Sequence, residues 1–157
     1  MALQDYDAAL QNAVKSFNVR MRAVCAALGI SGVTVTWYPE GEKPQVPTYP
    51  CVTASIIRLG TWDAGRCKLR TRIQIDVWTN DRQQALARRI AGRLLTGLGI
   101  SLDSSRPACD IAQTDSESGL SIPQREMELE LRFGWEPNGD PDPAITHLFA
   151  EFDLFHD

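Results

Sequence analysis

The sequence predicts an α+β fold, in which a mostly antiparallel sheet of about four to six strands carries two helices packed on one face. Residues 69–78 and 124–135 predict the sheet, because apolar and polar side chains alternate along both runs. Directly after the first run, the apolar period changes to that of an amphipathic helix over residues 82–98. A half-polar strand and a one-sided helix bury both apolar faces when they pack together, so this pair is the predicted core.

Composition indicates one globular domain over residues 1–157. The chain is 43% hydrophobic and 23% charged, with a formal net charge of −4. No apolar run is long enough to span a membrane, and the first residues lack the basic start and apolar centre of a secretory signal. We therefore expect the protein to be made and kept in the cytoplasm, without a membrane partner.

The N-terminal third is predicted to hold a helix, a short strand and a loop. Residues 3–28 place apolar side chains three and four positions apart, which predicts a core-packing helix with Gly29 as its C-cap. Residues 33–37 are rich in β-branched side chains and predict a strand. Prolines in residues 38–50 exclude a sheet interior. That segment is an exposed loop, either a contact arm or a plain connector.

The next segment predicts a β-hairpin. Residues 51–59 are apolar on both faces, which is typical of a central strand. Residues 60–65 would form the turn that brings this strand antiparallel to the one at 69–78. Trp62 lies in that turn. An exposed Trp there would serve recognition, and the alternative is a ring folded back onto its own sheet.

The second helix has candidate boundaries at both ends. Thr79, Asn80 and Asp81 are predicted to supply the N-cap, because a short side-chain oxygen accepts a hydrogen bond from a first-turn N–H group. Gly97 or Gly99 is predicted to end the helix in a left-handed cap.

The following residues predict loops and one clear strand. Residues 99–123 are rich in Ser, Asp and Gly, with a short strand predicted at 109–113 and a flexible turn at 114–119. The strand at 124–135 is expected to point one set of side chains outward (Glu126, Glu128, Glu130 and Arg132) and the alternate set inward (Met127, Leu129, Leu131, Phe133 and Trp135).

The last residues, 136–157, are predicted to form an acidic C-terminal arm after a Pro/Gly hinge at 137–143. Residues 144–155 fit both a helical stripe and a strand alternation, so the pattern leaves their structure open. The arm would either close its own sheet or lie on a neighbouring subunit.

Charge is distributed unevenly. Residues 58–93 carry an excess of arginine and lysine, whereas residues 136–157 carry acids and no lysine or arginine. A basic side and an acidic end suit head-to-tail contact between copies of the chain, because complementary potentials set the register of an interface. Expected exposure and charge therefore select the candidate interface residues Trp62, Arg66, Lys68, Arg70 and Arg72.

The same arginines permit a second interpretation as a nucleic-acid platform. Arg70, Arg72 and Trp78 share one face of the predicted strand, and basic and aromatic side chains together bind single strands. The chain has no recognised nucleic-acid motif, however, and its pI is about 5.2. We therefore expect no sequence-specific nucleic-acid partner.

The sequence contains no catalytic constellation, so we expect no enzyme and no cofactor. Cysteines at four separate positions are interpreted as buried free thiols, with a Cys51–Cys67 cross-strand disulfide as the alternative (Cys25, Cys51, Cys67 and Cys109). Two histidines lie near the C-terminal carboxylates, but we predict no metal site there (His147 and His156).

One family resemblance rests on the strand and helix described first. The strand reads Ile73-Gln74-Ile75-Asp76-Val77-Trp78-Thr79 and is followed by a helix rich in Ala, Leu and Arg. Together with the order of the flanking elements over residues 3–135, this resembles the tail terminator, or tail completion, proteins of long-tailed bacteriophages. These motifs are apolar patterns, so the resemblance assigns no site residue.

The resemblance implies a structural virion protein. Tail terminators form a ring, commonly a hexamer, that caps the tail tube, stops its elongation and offers a surface to the head–tail connector protein. The implied partners are copies of the chain, the tail tube protein and the connector, in a tail assembled in the host cytoplasm. The alternatives are another neck or baseplate component of the same particle and a small α+β ligand-binding or regulatory module.

Overall fold

A mostly antiparallel sheet with two helices on one face forms the part of the chain that this computed structural model describes, which comprises residues 6–42, 44–63, 68–98, 109–111, 120–122 and 128–156. The helices are α1 (Tyr6–Ala26) and α2 (Gln84–Gly97). The strands are β1 (Thr36–Trp37), β2 (Cys51–Asp63), β3 (Lys68–Thr79), β4 (Cys109–Ile111), β5 (Leu120–Ile122), β6 (Glu128–Trp135) and β7 (Pro141–His156).

The strand order places β3 and β7 at the centre of the sheet. The order is β1-β2-β3-β7-β5-β4. Strand β6 also pairs with β7, from Pro141 to Glu151, whereas β5 pairs with β7 at Phe155. All of these pairs are antiparallel except β1 with β2. The predicted α+β class and the antiparallel pairing of β2 with β3 are confirmed. The sheet has seven strands among the described residues, more than the sequence predicted.

The helix-facing side of the sheet forms the main hydrophobic core. Ile73, Ile75 and Val77 of β3 are buried on this side, as their alternation predicted. Each such side chain contributes about 1.5–3 kcal/mol when it leaves water. Because the same core contains side chains from both helices and from β7, the helices lie on one face as predicted (Phe17, Met21, Ile90, Leu94 and Phe152).

The two helices approach each other closely at Gly97. A Cβ atom at this position would lie 2.6 Å from Cγ1 of Val24 in α1, so any larger residue would force Val24 or the helices to shift. Arg20 donates a hydrogen bond across the same contact to the Gly97 carbonyl at 2.8 Å. The predicted left-handed cap at Gly97 is wrong, since Leu98 ends the helix with φ −75° and ψ −6°. Gly99 lies outside the described residues.

The N-cap prediction for α2 is also wrong. Helix α2 starts only after Gln83, which makes no side-chain cap hydrogen bond. Thr79 ends β3, and its hydroxyl donates to the Gln83 carbonyl at 3.0 Å. Asp81 and Arg82 adopt left-handed backbone angles, with φ of 53° and 55°. The reversal from strand to helix therefore uses two left-handed residues, which the propensity of Asn and Asp for caps does not reveal.

The first hairpin is longer than the sequence predicted. Strand β2 continues through Gly60 to Asp63, which pairs with Lys68. Trp62 therefore lies in a strand, and the predicted start of the turn at Gly60 is wrong. A register shift between Ile56 and Arg58 leaves Ile57 48% exposed, because the extra residue of a bulge is unpaired.

The C-terminal segment is a strand, which resolves the ambiguity at residues 144–155. Strand β7 pairs with β3 from Thr146 to His156. The segment therefore closes its own sheet. The predicted short strand at 109–113 is present as β4, whereas β5 was not predicted and the predicted turn at 114–119 lies outside the described residues.

Strand β6 does not bury the side chains that the alternation assigned to the interior. Phe133 is 50% exposed and Trp135 is 56% exposed. The strand lies beyond β7, whereas α2 packs on β3 and β7. The prediction that Phe133 and Trp135 point into the core is therefore wrong, because no helix packs over this end of β6 in the described part of the chain. Leu131 is partly buried, while Met127 lies outside the described residues.

Candidate interaction surfaces

Four of the five predicted interface residues lie in strands β2 and β3. Trp62 lies in β2, and Lys68, Arg70 and Arg72 lie in β3. Arg66 lies outside the described residues. Of these side chains, the structure describes that of Arg72, which is partly buried.

Arg72 is paired within its own chain. Its Nη2 atom lies 3.3 Å from Oε2 of Glu151 in β7. The register also sets Arg72 opposite Asp153 and Arg70 opposite Phe155. The ion pair of Arg72 with Glu151 is therefore used within one chain, while the predicted head-to-tail contact between copies stays a prediction. Strands β3 and β7 are neighbours in one sheet, where opposite charges on adjacent strands neutralise each other.

Behind the sheet, on the face away from the helices, lies a buried polar cluster. His147 Nε2 lies 2.6 Å from Asp76 Oδ1, and because a carboxylate only accepts, the imidazole N–H donates. The amide of Gln74 donates to the same oxygen. The Trp78 ring stacks on His147 with centroids 3.7 Å apart and planes 7° apart, and its indole N–H donates to the Thr53 hydroxyl at 2.9 Å.

The side chains of this cluster satisfy one another's hydrogen bonds, which indicates a structural role. Asp76 is 4% exposed and His147 is 9% exposed, so each buried polar group requires the other as a hydrogen-bond partner. Trp78 is 8% exposed, so it is not available as the nucleic-acid platform that the alternative interpretation required. No group of three or more metal-ligating side chains occurs in the described part of the chain. Residues Asp76 and His147 are 71 positions apart, so no local sequence signal predicted their contact.

The proline-rich loop covers one end of this face. Tyr38 and Tyr49 pack against a small core of Cys51, Trp78 and Ile145. Burial and the negative charges of Glu136 and Asp142 raise the pKa of Tyr49 to about 12. The loop is also attached to α1, because Asn18 accepts a hydrogen bond from the backbone N–H of Glu40 at 3.0 Å. The part of the loop that packs on the sheet is therefore a covering segment, while Val46 remains 86% exposed.

The turn between β6 and β7, residues 135–142, forms an acidic and aromatic tip that we call the hairpin tip. Trp135, Glu136 and Asp140 lie on it, and Asp140 is exposed. Gly134 has φ of +90° at the register shift that precedes Trp135, an angle that favours glycine. Asp142 is engaged locally, because its carboxylate accepts a hydrogen bond from the backbone N–H of Ala144 at 2.9 Å.

A basic groove of about 800 Å³ runs between α1 and α2 on the outside of the molecule. Its charged walls are Arg20, Arg88, Arg89 and Arg93. Arg93 donates a hydrogen bond to the Leu28 carbonyl at 2.9 Å, which fixes its position at the end of α1. The remaining lining is apolar or small, including Val24 and Leu28, and contains no acidic residue (Ala23, Ala27, Gly92, Thr96 and Gly97).

Two of the cysteines are buried free thiols, as predicted. Cys25 and Cys51 are both 6% exposed or less. Burial raises the pKa of each thiol to about 12. The alternative Cys51–Cys67 disulfide is therefore wrong, since Cys51 is free, while Cys67 lies outside the described residues.

The fold is similar to that of a protein chain in the virion of a native gene transfer agent particle. The match covers 97% of this chain and 98% of that chain, with a TM-score of 0.52 and 18% sequence identity. At this identity the likeness establishes a shared fold. No protein-family model matches the sequence, and no curated protein matches it. Among the described residues, no helix is both long and apolar enough to cross a membrane.

Proposed function

We propose that this chain is a structural subunit of a phage-like particle and acts as its tail terminator. In this role, copies of the chain form a ring that caps the tail tube, stops its elongation and presents a joining surface to the head. The proposal rests chiefly on the nearly full-length fold match to a virion chain. The likeness of residues 73–79 and the following helix to tail terminators supports it independently.

The surfaces of the molecule are consistent with work done by assembly. The groove between α1 and α2 is open and lined by arginines, and the buried polar cluster is closed by its own hydrogen bonds. Neither places a nucleophile beside a base in the described residues. Shape and charge complementarity between copies would then carry the function, with no bond made or broken. Each copy would contact its two neighbours, the tail tube protein and the head–tail connector protein.

Deleting the gene from a particle-producing strain tests the role directly. A protein that stops tube growth gives overlong tubes when it is absent, and a plasmid copy of the gene restores the normal length. Electron microscopy of purified particles measures tail length and head attachment. Tubes of normal length in the deletion strain would contradict the terminator role.

The same fold match also supports a second structural role, because the matched chain is described only as part of a virion. If the chain is another neck or baseplate component, deletion gives tubes of normal length that lack a head or a baseplate. Native mass spectrometry of the purified protein, alone and with tail tubes, separates both roles from a small ligand-binding or regulatory module. The structural roles predict a ring under at least one condition, and the module predicts a monomer or dimer under both.

A further inference from the structure

We propose that the basic groove between α1 and α2 receives the hairpin tip of a second copy of this chain. This inference rests on the proposed ring and names the two surfaces that join its subunits. The ion pair of Arg72 with Glu151 lies within one chain and so does not join subunits. The proposed contact instead pairs two other regions, one from each copy.

Two arginines of the groove form no ion pair within the part of the chain that the structure describes. Arg88 and Arg89 project from exposed positions of α2, and neither makes an ion pair with another described residue. Arg20 and Arg93 are held at the helix ends by backbone carbonyls, at 2.8 and 2.9 Å. Two guanidinium groups held by backbone carbonyls and two without an ion pair among the described residues, around an apolar floor, suit an acidic partner that also carries an apolar side chain.

The hairpin tip has this composition. It combines the indole of Trp135, which is 56% exposed, with the carboxylates of Glu136 and Asp140. Phe133 precedes it on the same strand and is 50% exposed. Trp and Arg are the residues that most often dominate the energy of protein interfaces, because each buries a large surface with a defined geometry.

Other acidic side chains of the sheet are less suitable. Glu130 is paired with Arg132 at 2.9 Å, and this hydrogen bond lowers the pKa of Glu130. Glu151 is paired with Arg72. Asp140, in contrast, is exposed and has no ion-pair partner among the described residues. The hairpin tip is therefore the more suitable acidic surface.

The proposed contact joins two unlike surfaces. The groove lies on the helix layer and the hairpin tip lies at one end of the sheet, so the two surfaces belong to different parts of each copy. A contact between unlike surfaces is head-to-tail, and repeated head-to-tail contacts close into a ring when the rotation between copies allows it.

A charge-swap experiment tests the contact. The double variant Arg88→Glu/Arg89→Glu and the double variant Glu136→Lys/Asp140→Lys should each weaken self-association by about tenfold or more, because like charges would face each other. The variant that combines all four substitutions should recover association. Sedimentation velocity and native mass spectrometry, with and without tail tubes, measure the assembly, and far-UV circular dichroism checks the fold.

Arg22→Glu is the matched control, because Arg22 is exposed on α1 and does not line the groove. It should leave association unchanged. Trp135→Ala, which alters no charge, should also weaken association and so tests the apolar half of the contact.

The outcomes distinguish this inference from the proposed function. Overlong tubes in the deletion strain, together with normal ring assembly by both double variants, would overturn the groove contact and leave the terminator role standing. Retention of duplex DNA by the protein is measured in parallel. If Arg88→Glu/Arg89→Glu abolishes DNA retention and leaves the rings intact, the groove is a nucleic-acid site and the groove contact is overturned. Disassembly by either double variant and recovery in the combined variant would establish the contact.

Discussion

On the helix-facing side of β7, Phe152 is fully buried in the core that both helices cover, whereas on the other side Phe149 lies under the guanidinium of Arg132. The Arg132 carbon lies 4.8 Å from the Phe149 ring centroid, and the His147 ring lies 5.4 Å away. Both phenylalanines are almost inaccessible to solvent. One side is therefore buried by secondary structure, and the other by long side chains, stacked rings and a loop.

The difference teaches how a two-layer fold protects a sheet that has helices on one face only. Aliphatic side chains suffice where a helix lies above them, because close packing excludes water. Where no helix lies above, each polar group that is buried needs a partner. In the polar cluster, the hydrogen bonds among Asp76, His147, Thr53 and Trp78 supply such partners.

The largest expected effect separates the two phenylalanines. Phe152→Ala should lower the free energy of unfolding by about 3–5 kcal/mol, because it leaves a cavity between packed layers. Phe149→Ala should cost less, since the exposed Arg132 side chain above it can move into the space. Urea unfolding followed by circular dichroism measures both losses. Equal losses would show that the two faces are packed with the same rigidity.

The buried hydrogen bond between His147 and Asp76 gives the next effect. Asp76→Ala should lower the free energy of unfolding by about 1–3 kcal/mol, because it leaves the His147 N–H without an acceptor. Asp76→Asn keeps a side-chain oxygen and should lose less. The same urea titrations measure both variants, and identical losses would mean that the carboxylate charge matters more than the hydrogen bond.

Substitution of Arg72 in β3 and of Arg88 in α2 should change the free energy of unfolding by smaller and different amounts. Arg72→Gln removes the pair with Glu151 and should cost about 1 kcal/mol or less, an effect that salt reduces. Arg88→Gln should leave the free energy of unfolding unchanged, because Arg88 makes no ion pair with the described residues. Unfolding at low and at high ionic strength checks both expectations. A loss for Arg88→Gln as large as that for Arg72→Gln would remove the distinction between them.

The reactivity of the buried cysteines tests how well each face of the sheet excludes solvent. Cys25 lies in the helix-side core and Cys51 in the small core of the other face. Because the pKa of both is raised to about 12 by burial, both should resist iodoacetamide at pH 8 and react after unfolding in urea. Peptide mapping by mass spectrometry measures the modification. Faster reaction of Cys51 in the folded protein would show that the second face admits solvent.

The same shifts predict a pH dependence. Each thiol has a folded-state pKa above its ordinary value of 9.0. Its contribution to stability is therefore complete below pH 9 and is lost as the pH rises toward 12. Cys25→Ala and Cys51→Ala should each make the decline of stability above pH 9 less steep.

Elements with a strong local pattern could be predicted from the amino-acid sequence. The alternation in β3 gave its buried face, and the apolar spacing in α1 and α2 gave both helices, because side-chain direction follows from the backbone period alone. The fold class and the β2–β3 pairing follow from those elements and the short segment that joins them.

Features that depend on contacts between distant residues could not be predicted in the same way. Residues 144–155 fit two periods equally well, and the hydrogen-bonding edge of β3 selected the strand. Phe133 and Trp135 follow a core pattern but lie beyond the helices, so exposure was set by layer width. The contact of Asp76 with His147 and the neutralisation of Arg72 by Glu151 join residues far apart in the chain. No local pattern encodes such contacts, because strand order and register are set by the free energy of the whole sheet.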